Sequence, residues 1–267
     1  MGRASGRGAA RRTGGRAQTG AGVDAPGARG QRAALPKPLD ARELRAVYDT
    51  LMTAYGPQDW WPAAAIDGPE RSLEICVGAI LVQNTWWSGA EEAIANLRAA
   101  RLLSCEAMLG LPEDALAELL RPAGYFRTKA RKLRTFCGVV MDEHGGDIDP
   151  LLAGSMEEVR ARLLAIWGVG PETADAMTLY AGGLPTFVVD AYTYRLFERL
   201  GRTPGPRKYD VYRDHLMRHV DLDERTLNEW HALIVRHGQQ TCRKSQPHCG
   251  ECPLLDRCAF GKTVVGS

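Results

Sequence analysis

The sequence predicts an all-α protein built from about ten short helices. From Asp40 onward, apolar residues recur at helical spacing almost everywhere. No segment alternates apolar and polar residues with the period of two that is typical of a strand. Short turns that contain Gly or Pro separate the helical segments. With 267 residues, 45% of them hydrophobic, the chain is long enough to bury one large core or two smaller ones.

The first predicted helix spans residues 41–55, with Asp40 as its N-cap and Gly56-Pro57 as its end. The sequence shows no internal repeat. Further helices are predicted, in chain order, over residues 70–82, 88–100, 104–109, 113–120, 127–143, 155–166, 171–181, 190–200, 207–219 and 223–239.

Residues 1–39 are rich in Gly, Arg and Ala and lack periodic apolar residues, so we predict a disordered basic tail. Residues 1–40 contain eight basic and two acidic residues, whereas the whole chain has a net charge of only +2. Such a tail is typical either of a solvated terminus or of a protein that binds a polyanion such as nucleic acid. No apolar stretch approaches the roughly 18–20 residues that cross a bilayer, and the N-terminus does not resemble a secretory signal. We therefore expect no membrane partner and a cytoplasmic location.

Four of the seven cysteines crowd together near the C-terminus, in the pattern Cys242-x6-Cys249-x2-Cys252-x5-Cys258. In a chain without a secretion signal, such a cluster indicates a metal rather than disulfides. Four thiolates in one loop suit either zinc or an iron–sulfur cluster. The other three cysteines are scattered singly in apolar stretches and are predicted to be small core residues, at Cys76, Cys105 and Cys137.

A second motif lies in residues 164–174, where an apolar helix ends at Gly168 and Pro171 opens the next helix. Backbone N–H groups at such a turn can bind a phosphate without reading base sequence. After a Gly/Pro turn at residues 182–185, Val188-Val189-Asp190 begins another helix. Taken alone, an aspartate at this place is more often an N-cap than a functional carboxylate.

In this order, the hairpin, the Gly/Pro turn and the aspartate resemble those of the HhH-GPD DNA glycosylases. The cysteine spacing resembles the loop of endonuclease III and its adenine-glycosylase relatives, in which four cysteines hold a [4Fe–4S] cluster. The resemblance covers roughly residues 41–260. It implies a two-lobed helical fold, damaged double-stranded DNA as the partner, a [4Fe–4S] cofactor in the cysteine loop, and Asp190 as the catalytic carboxylate.

The resemblance also implies a division into domains. A helical bundle with the helix–hairpin–helix would span residues 63–184, and an iron–sulfur domain would combine residues 40–62 with 185–267. We expect DNA and a base pocket at the cleft between them, and a monomer associated with the nucleoid. The residues expected to contact DNA are Gly168, Val169, Gly170 and Thr173 of the hairpin and Lys129 of a segment that faces DNA in the family.

Glu172 departs from the pattern of endonuclease III, which carries a lysine at this hairpin position. The lysine amine attacks C1′ and forms a Schiff base that permits strand cleavage. A carboxylate cannot form that imine, so the sequence predicts a monofunctional glycosylase that activates water. Weak lyase activity from another amine stays open.

Bases are cut only after they leave the stack, and aromatic rings commonly hold them in the pocket. Trp60-Trp61-Pro62 and Gln83-Asn84-Thr85-Trp86-Trp87 supply two pairs of adjacent indoles, of which ordinary core packing is the alternative role. Because neighbouring residues on a helix point about 100° apart, we expect at most one indole of each pair to face a pocket. The candidate residues for the base pocket or the gap in DNA are Gln83, Asn84, Trp60, Trp61, Trp87 and Glu172.

Three functions compete. The Trp-Trp-Pro and Gln-Asn-Thr segments resemble the 3-methyladenine DNA glycosylase III branch, which also lacks the hairpin lysine. They favour a glycosylase for alkylated purines, because a cationic base stacks well on electron-rich rings. The alternatives are an endonuclease III-like enzyme for oxidised pyrimidines and a non-catalytic DNA-binding protein. The last is disfavoured because binding alone does not require Asp190.

Overall fold

The computed structural model describes residues 37–64, 68–221 and 223–266. In these residues the apolar side chains recur at helical spacing, and the chain forms thirteen α-helices. No strand occurs in these residues, so the all-α prediction is confirmed. The helices are α1 Ala41–Tyr55, α2 Gly68–Leu81, α3 Trp87–Ala99, α4 Cys105–Gly110, α5 Glu113–Leu119, α6 Phe126–His144, α7 Asp149–Leu152, α8 Met156–Ala165, α9 Pro171–Ala176, α10 Ala191–Leu200, α11 Tyr209–His219, α12 Glu224–Gln240 and α13 Ala259–Val265.

Short polar side chains begin these helices where the sequence places them. Asp40 caps α1 in a reciprocal arrangement, since Oδ1 accepts from the Glu43 N–H at 2.9 Å and its own N–H donates to the Glu43 carboxylate at 3.0 Å. Ser155 and Glu158 form the same capping box on α8. Asp190 caps α10.

The structure corrects the helix prediction at its shortest elements. The sequence pattern missed α7 and α13, which span only one or two turns and bury few apolar residues. The predicted helix over 171–181 is α9 followed by a π-helical turn, Met177–Ala181. Short 3₁₀ turns at Arg121–Ala123, Cys249–Glu251 and Leu255–Arg257 were also not predicted.

The end of the predicted tail is corrected as well. Residues 1–36 lie outside the described residues, but Lys37–Leu39 pack on the helical body. The Leu39 side chain is buried, and its carbonyl lies 2.8 Å from His215 Nε2. Arg202 donates to the carbonyls of Lys37 and Pro38. One buried apolar side chain and hydrogen bonds to three backbone carbonyls hold this segment beside the first helix.

The core surrounds α2, whose residues from Glu74 to Leu81 are all buried. Helices α4 and α5 pack on α6, and α12 packs on α1 and α10. The π-helical turn after α9 contacts both α2 and α12, so α2, α9, α10 and α12 converge on one region. The division into two lobes stays a prediction. Within the described residues, no helix is long and apolar enough to span a bilayer.

Candidate active site and cysteine loop

Asp190 is a buried carboxylate held by the start of its own helix. Its Oδ1 accepts from the Thr193 N–H at 2.7 Å and from the Thr193 hydroxyl at 2.9 Å. The residue is only 8% exposed. Burial raises the pKa of Asp190, but the neighbouring His231 and the bonds from Thr193 outweigh it and hold the pKa below its usual value. The group is therefore both an N-cap and an anion kept inside the protein.

Two residues that the sequence analysis did not identify stand behind this carboxylate. His231 of α12 places Nε2 3.7 Å from Asp190 Oδ2, and its Nδ1 lies 2.5 Å from the Tyr180 hydroxyl. Both side chains are buried. They come from sequence positions 41 residues after and 10 residues before Asp190, so no local motif could have linked the three.

Glu172 faces the same region from the first turn of α9. Burial, and then repulsion from Asp190, raise the pKa of Glu172 to about 7, although the residue keeps exposed surface at the mouth of the site. The structure thus places an acid, where endonuclease III has an amine, next to the buried anion.

The hairpin is tied to the end of α2 by Gln83. Its amide nitrogen donates to the Gly168 carbonyl at 3.1 Å and to the Thr173 hydroxyl at 2.9 Å, while Lys132 donates to its amide oxygen. Gly168 has φ +93°, and a Cβ there would lie 2.6 Å from Lys132 Cγ, so only glycine fits. In this structure Gln83 therefore orders the hairpin rather than standing free to fill a gap in DNA.

The backbone of the hairpin presents a smaller surface than predicted. The Val169 side chain is buried and its N–H donates to Ile166 at 3.1 Å, so Val169 is not available to a phosphate. Thr173 is also buried, with its hydroxyl bonded to Gln83. The amides of Gly168 and Gly170 have no hydrogen-bond partner among the described residues, which leaves these two for an anion.

The structure buries Lys129, which the sequence analysis expected to contact DNA. Only 2% of the residue is exposed, and its ammonium donates to the Ala123 carbonyl at 2.6 Å. Burial, and then the nearby charge of Lys132, lower the pKa of Lys129 to about 8. The reason is tertiary, because the loop before α6 folds back over the first turn of that helix.

Three of the tryptophans form one cluster. The ring centroids of Trp60 and Trp61 are 5.5 Å apart, those of Trp60 and Trp87 5.6 Å, and those of Trp61 and Trp87 4.9 Å. Trp61 is buried against Gly78 and also contacts Tyr180, with centroids 5.3 Å apart. Trp60 and Trp87 stay half-buried. The cluster thus reaches from the surface to the tyrosine behind Asp190.

The two pairs of adjacent tryptophans pack differently. Trp86 is 73% exposed and has no recorded ring contact with the cluster. Trp60 and Trp61 both join the cluster, because residues 56–64 are not helical and the 100° rule does not apply. Asn84 is exposed and adopts a left-handed conformation, with φ +55°.

Two further aromatic residues with large exposed surfaces were not identified from the sequence. Tyr125 is 71% exposed in the loop before α6, and Trp167 is 49% exposed beside the hairpin, with Arg131 4.6 Å above its ring. Their exposure distinguishes them from core aromatic residues, and only the tertiary structure reveals it.

The four C-terminal cysteines line one cavity, and two of them share a 3₁₀ turn that begins at Cys249 and is capped by Cys252. Arg199 Nη1 donates to the Cys242 sulfur at 3.2 Å, and the Gly261 N–H donates to the Cys258 sulfur at 3.2 Å. Burial, and then the neighbouring cysteine sulfurs, raise the pKa of Cys252 to about 11. A cationic group among them is therefore needed to hold the sulfurs as thiolates.

This donor set fits an iron–sulfur cluster, since four sulfurs face one space and N–H groups already point at two of them. The fit is one of chemistry and not of finished geometry, because in the described part of the chain no group of three or more His, Cys, Asp or Glu side chains, the four cysteines included, is arranged to hold a metal ion. The three other cysteines are buried core residues, as predicted, at Cys76, Cys105 and Cys137.

Comparison with known proteins shows the family to which the chain is similar. The sequence model of the HhH-GPD superfamily of base excision DNA repair proteins matches residues 77–220. A Methanocaldococcus jannaschii protein, whose name assigns it provisionally to the DNA repair glycosylases, is 41% identical over 219 residues, which are 79% of this chain and 94% of that protein. Endonuclease III of Escherichia coli is 28% identical over 158 residues, covering 59% of this chain and 70% of the enzyme.

Solved structures have the same fold. A non-covalent endonuclease III–DNA complex superimposes with a TM-score of 0.71 at 21% identity, covering 86% of this chain and all of that one. A Helicobacter pylori 3-methyladenine DNA glycosylase bound to 1,N6-ethenoadenine gives a TM-score of 0.62 at 24% identity, covering 76% of this chain and 98% of that one.

Proposed function

This chain belongs to the HhH-GPD superfamily of base excision DNA repair proteins, and we propose that it is a monofunctional DNA N-glycosylase for alkylated purines such as 3-methyladenine. One observation carries the proposal. The buried anion Asp190 is paired with a carboxylic acid, Glu172, at the hairpin position where endonuclease III has a lysine.

The chemistry requires an anion at Asp190. As the base leaves, positive charge develops on the sugar, and a carboxylate beside C1′ stabilises that charge and orients the attacking water. Because the pKa of Asp190 is held below its usual value, the group is ionised at neutral pH without a bound cation. A protein that only bound DNA would not need to keep this charge buried.

Glu172 supports the monofunctional assignment. A carboxylate cannot form an imine with C1′, so strand cleavage by β-elimination would need another amine. Lys129 has a lowered pKa of about 8, which is favourable for a nucleophile, but its ammonium is buried on the Ala123 carbonyl. Lys132 is bonded to Gln83. Neither amine is poised for attack in this arrangement.

The tryptophan cluster supports the alkylated purine. An alkylated purine that carries delocalised positive charge is attracted to the face of an indole and is a good leaving group. The three rings meet edge to face at 4.9–5.6 Å, so a base would stack on the accessible face of Trp60 or Trp87 rather than between two of them. Trp61 supports those rings from the core.

We also propose that Cys242, Cys249, Cys252 and Cys258 hold a [4Fe–4S] cluster, with zinc as the alternative. When bound, such a cluster would cross-link the loop, and the positive charge of its iron would stabilise the four sulfurs as thiolates. Four exposed basic side chains surround this loop and suit DNA phosphates, at Arg243, Lys244, Arg257 and Lys262. Gly168 and Gly170 would bind phosphate through their amides, and the protein would act as a monomer on damaged duplex DNA in the cytoplasm.

A comparison of substrates tests the proposal. DNA methylated with dimethyl sulfate should release 3-methyladenine in the presence of the wild-type protein and not with Asp190→Asn. A duplex with a single thymine glycol should release no base. Release of thymine glycol with no release of 3-methyladenine would favour the endonuclease III-like alternative, and no release from any damaged DNA would contradict glycosylase activity.

A further inference from the structure

The two oxygens of Asp190 have different surroundings. Oδ1 is saturated by the N–H and the hydroxyl of Thr193, at 2.7 and 2.9 Å. Oδ2 makes no hydrogen bond to the described residues, and its nearest recorded polar neighbour is His231 Nε2 at 3.7 Å. That nitrogen is itself buried and without a hydrogen-bond partner among the described residues. A buried donor without a partner thus faces the one Asp190 oxygen that accepts no recorded hydrogen bond.

We propose that His231 is a positioning residue for the catalytic carboxylate, which it orients through Oδ2, and that Tyr180 fixes the hydrogen of His231 on Nε2. The inference rests on the proposed function, because it assumes that Asp190 is the group that faces the sugar. At 3.7 Å the two atoms are too far apart for a hydrogen bond in the free protein. A movement of less than about 1 Å on DNA binding completes it, as catalytic hydrogen bonds commonly tighten in the complex.

The hydrogen on Nε2 follows from the contact on the other side of the ring. The Tyr180 hydroxyl lies 2.5 Å from Nδ1, and it has no other recorded acceptor among the described residues. If that hydroxyl donates to Nδ1, the neutral ring carries its hydrogen on Nε2. If the ring is cationic, both nitrogens carry hydrogen. In either state an N–H group points at Asp190.

Other charged or titratable groups also act on this pair, and the experiment must separate them. Glu172 of α9 repels Asp190, Tyr194 of α10 lies within its electrostatic reach, and Glu229 of α12 interacts with Tyr180. Burial and the charge of Asp190 raise the pKa of Glu172 to about 7. Replacing it with glutamine leaves Asp190 as the carboxyl of this pair that titrates at acidic pH.

The test measures binding of a duplex that carries a pyrrolidine abasic-site analogue, whose ring nitrogen is cationic. This probe resembles the charged sugar of the transition state and does not depend on which base the enzyme removes. Affinity is measured from pH 3 to 8 in the Glu172→Gln background, because the pKa of Asp190 is held below its usual value. Asp190→Asn should bind the probe at least about tenfold more weakly at pH 7 than this parent does.

The midpoint is the pH at which half of the affinity for the probe is lost. His231→Leu should raise this midpoint by about one pH unit, so that the probe binds up to about tenfold more weakly than to the parent at a fixed acidic pH. His231→Gln, which presents an N–H near the place of Nε2, should restore the parental pH profile. Tyr180→Phe should shift the profile in the same direction as His231→Leu. The matched control is Tyr55→Phe, which removes another tyrosine hydroxyl from a histidine Nδ1 of α12, at 2.9 Å, and should leave the profile unchanged.

The outcomes distinguish the two levels of the argument. If Asp190→Asn binds the probe as tightly as the parent, the proposed function is wrong. If Asp190→Asn binds weakly but the profiles of His231→Leu and Tyr180→Phe coincide with the parent, Asp190 keeps its role and only the positioning by His231 is overturned. Should His231→Leu fail to fold, His231→Gln and Tyr180→Phe still decide the question. The proposal is supported if His231→Gln has the parental pH profile and Tyr180→Phe has a shifted one. Any other combination of results for these two variants contradicts it.

Discussion

Replacing Glu172 with lysine should convert this protein into a weak abasic-site lyase. The side chain leaves the first turn of α9 at the mouth of the site, faces Asp190, and keeps exposed surface. A lysine there would put an amine where the sequence resemblance places the family's nucleophile. Proximity is the main requirement for imine formation, because a positioned amine has an effective concentration of about 10⁵ M or more.

The pH dependence of this reaction can be estimated. An unperturbed lysine amine, with a pKa of about 10.4, is only about 0.4% unprotonated at pH 8. The anion at Asp190 favours the charged ammonium, whereas the N-terminus of α9 favours the free amine. Because the neutral fraction grows about tenfold per pH unit below the pKa, the rate of imine formation should rise about tenfold from pH 7 to pH 8.

Borohydride trapping on a duplex with one abasic site measures the imine directly. Glu172→Lys should give a covalent protein–DNA adduct whose yield rises with pH, and the wild-type protein should give little or none. Glu172→Gln is the matched control, since it removes the same charge without adding an amine. If the wild-type protein or Glu172→Gln traps as efficiently as Glu172→Lys, another amine is the nucleophile and the monofunctional assignment is wrong.

Four further predictions concern the loop, the tail and the buried charges. Cys249→Ser should lose iron, sulfide and the broad absorbance near about 400 nm, and should lower the melting temperature; equal iron and sulfide contents in mutant and wild type would contradict the assignment of the cluster. Removal of residues 1–36, which carry seven basic residues and one acidic residue, should flatten the salt dependence of DNA binding, and an unchanged slope would show that the tail takes no part. Asp175→Ala should destabilise the protein by about 3–5 kcal/mol in urea denaturation, because it strands the guanidinium groups of Arg160 and Arg213, which lie 2.9 and 3.2 Å from a fully buried carboxylate. The matched control for that variant is Asp49→Ala, which breaks an exposed pair with Arg45 and should cost less than about 1 kcal/mol. Because the pKa of Glu172 rises from 4.5 to about 7 on folding, the folded state binds the extra proton and stability should fall as pH increases through this range. Glu172→Gln should flatten that fall, by about 1 kcal/mol or less after allowance for the exposed surface of the residue, and identical pH profiles of the melting temperature would contradict it.

The sequence by itself determined the helices and the residues with local partners. The N-caps Asp40 and Asp190 each accept a hydrogen bond from an N–H three residues ahead, so a pattern of neighbouring residues is sufficient to place them. The cysteine loop was also determined locally, because all four sulfurs lie within seventeen residues. Helices α7 and α13 were not predicted because one or two turns contain too few apolar residues to show helical periodicity.

Only the tertiary structure decided which side chains meet at the candidate site. His231 and Tyr180 reach Asp190 from two other elements, and no sequence spacing encodes that approach. The sequence pattern predicts Lys129 as a surface cation. In the structure the preceding loop covers it, and its ammonium donates a hydrogen bond to the Ala123 carbonyl. Trp60 and Trp61 share one cluster because their segment is not helical. In each case the deciding contact joins residues whose separation in space is set by packing rather than by the geometry of one helix.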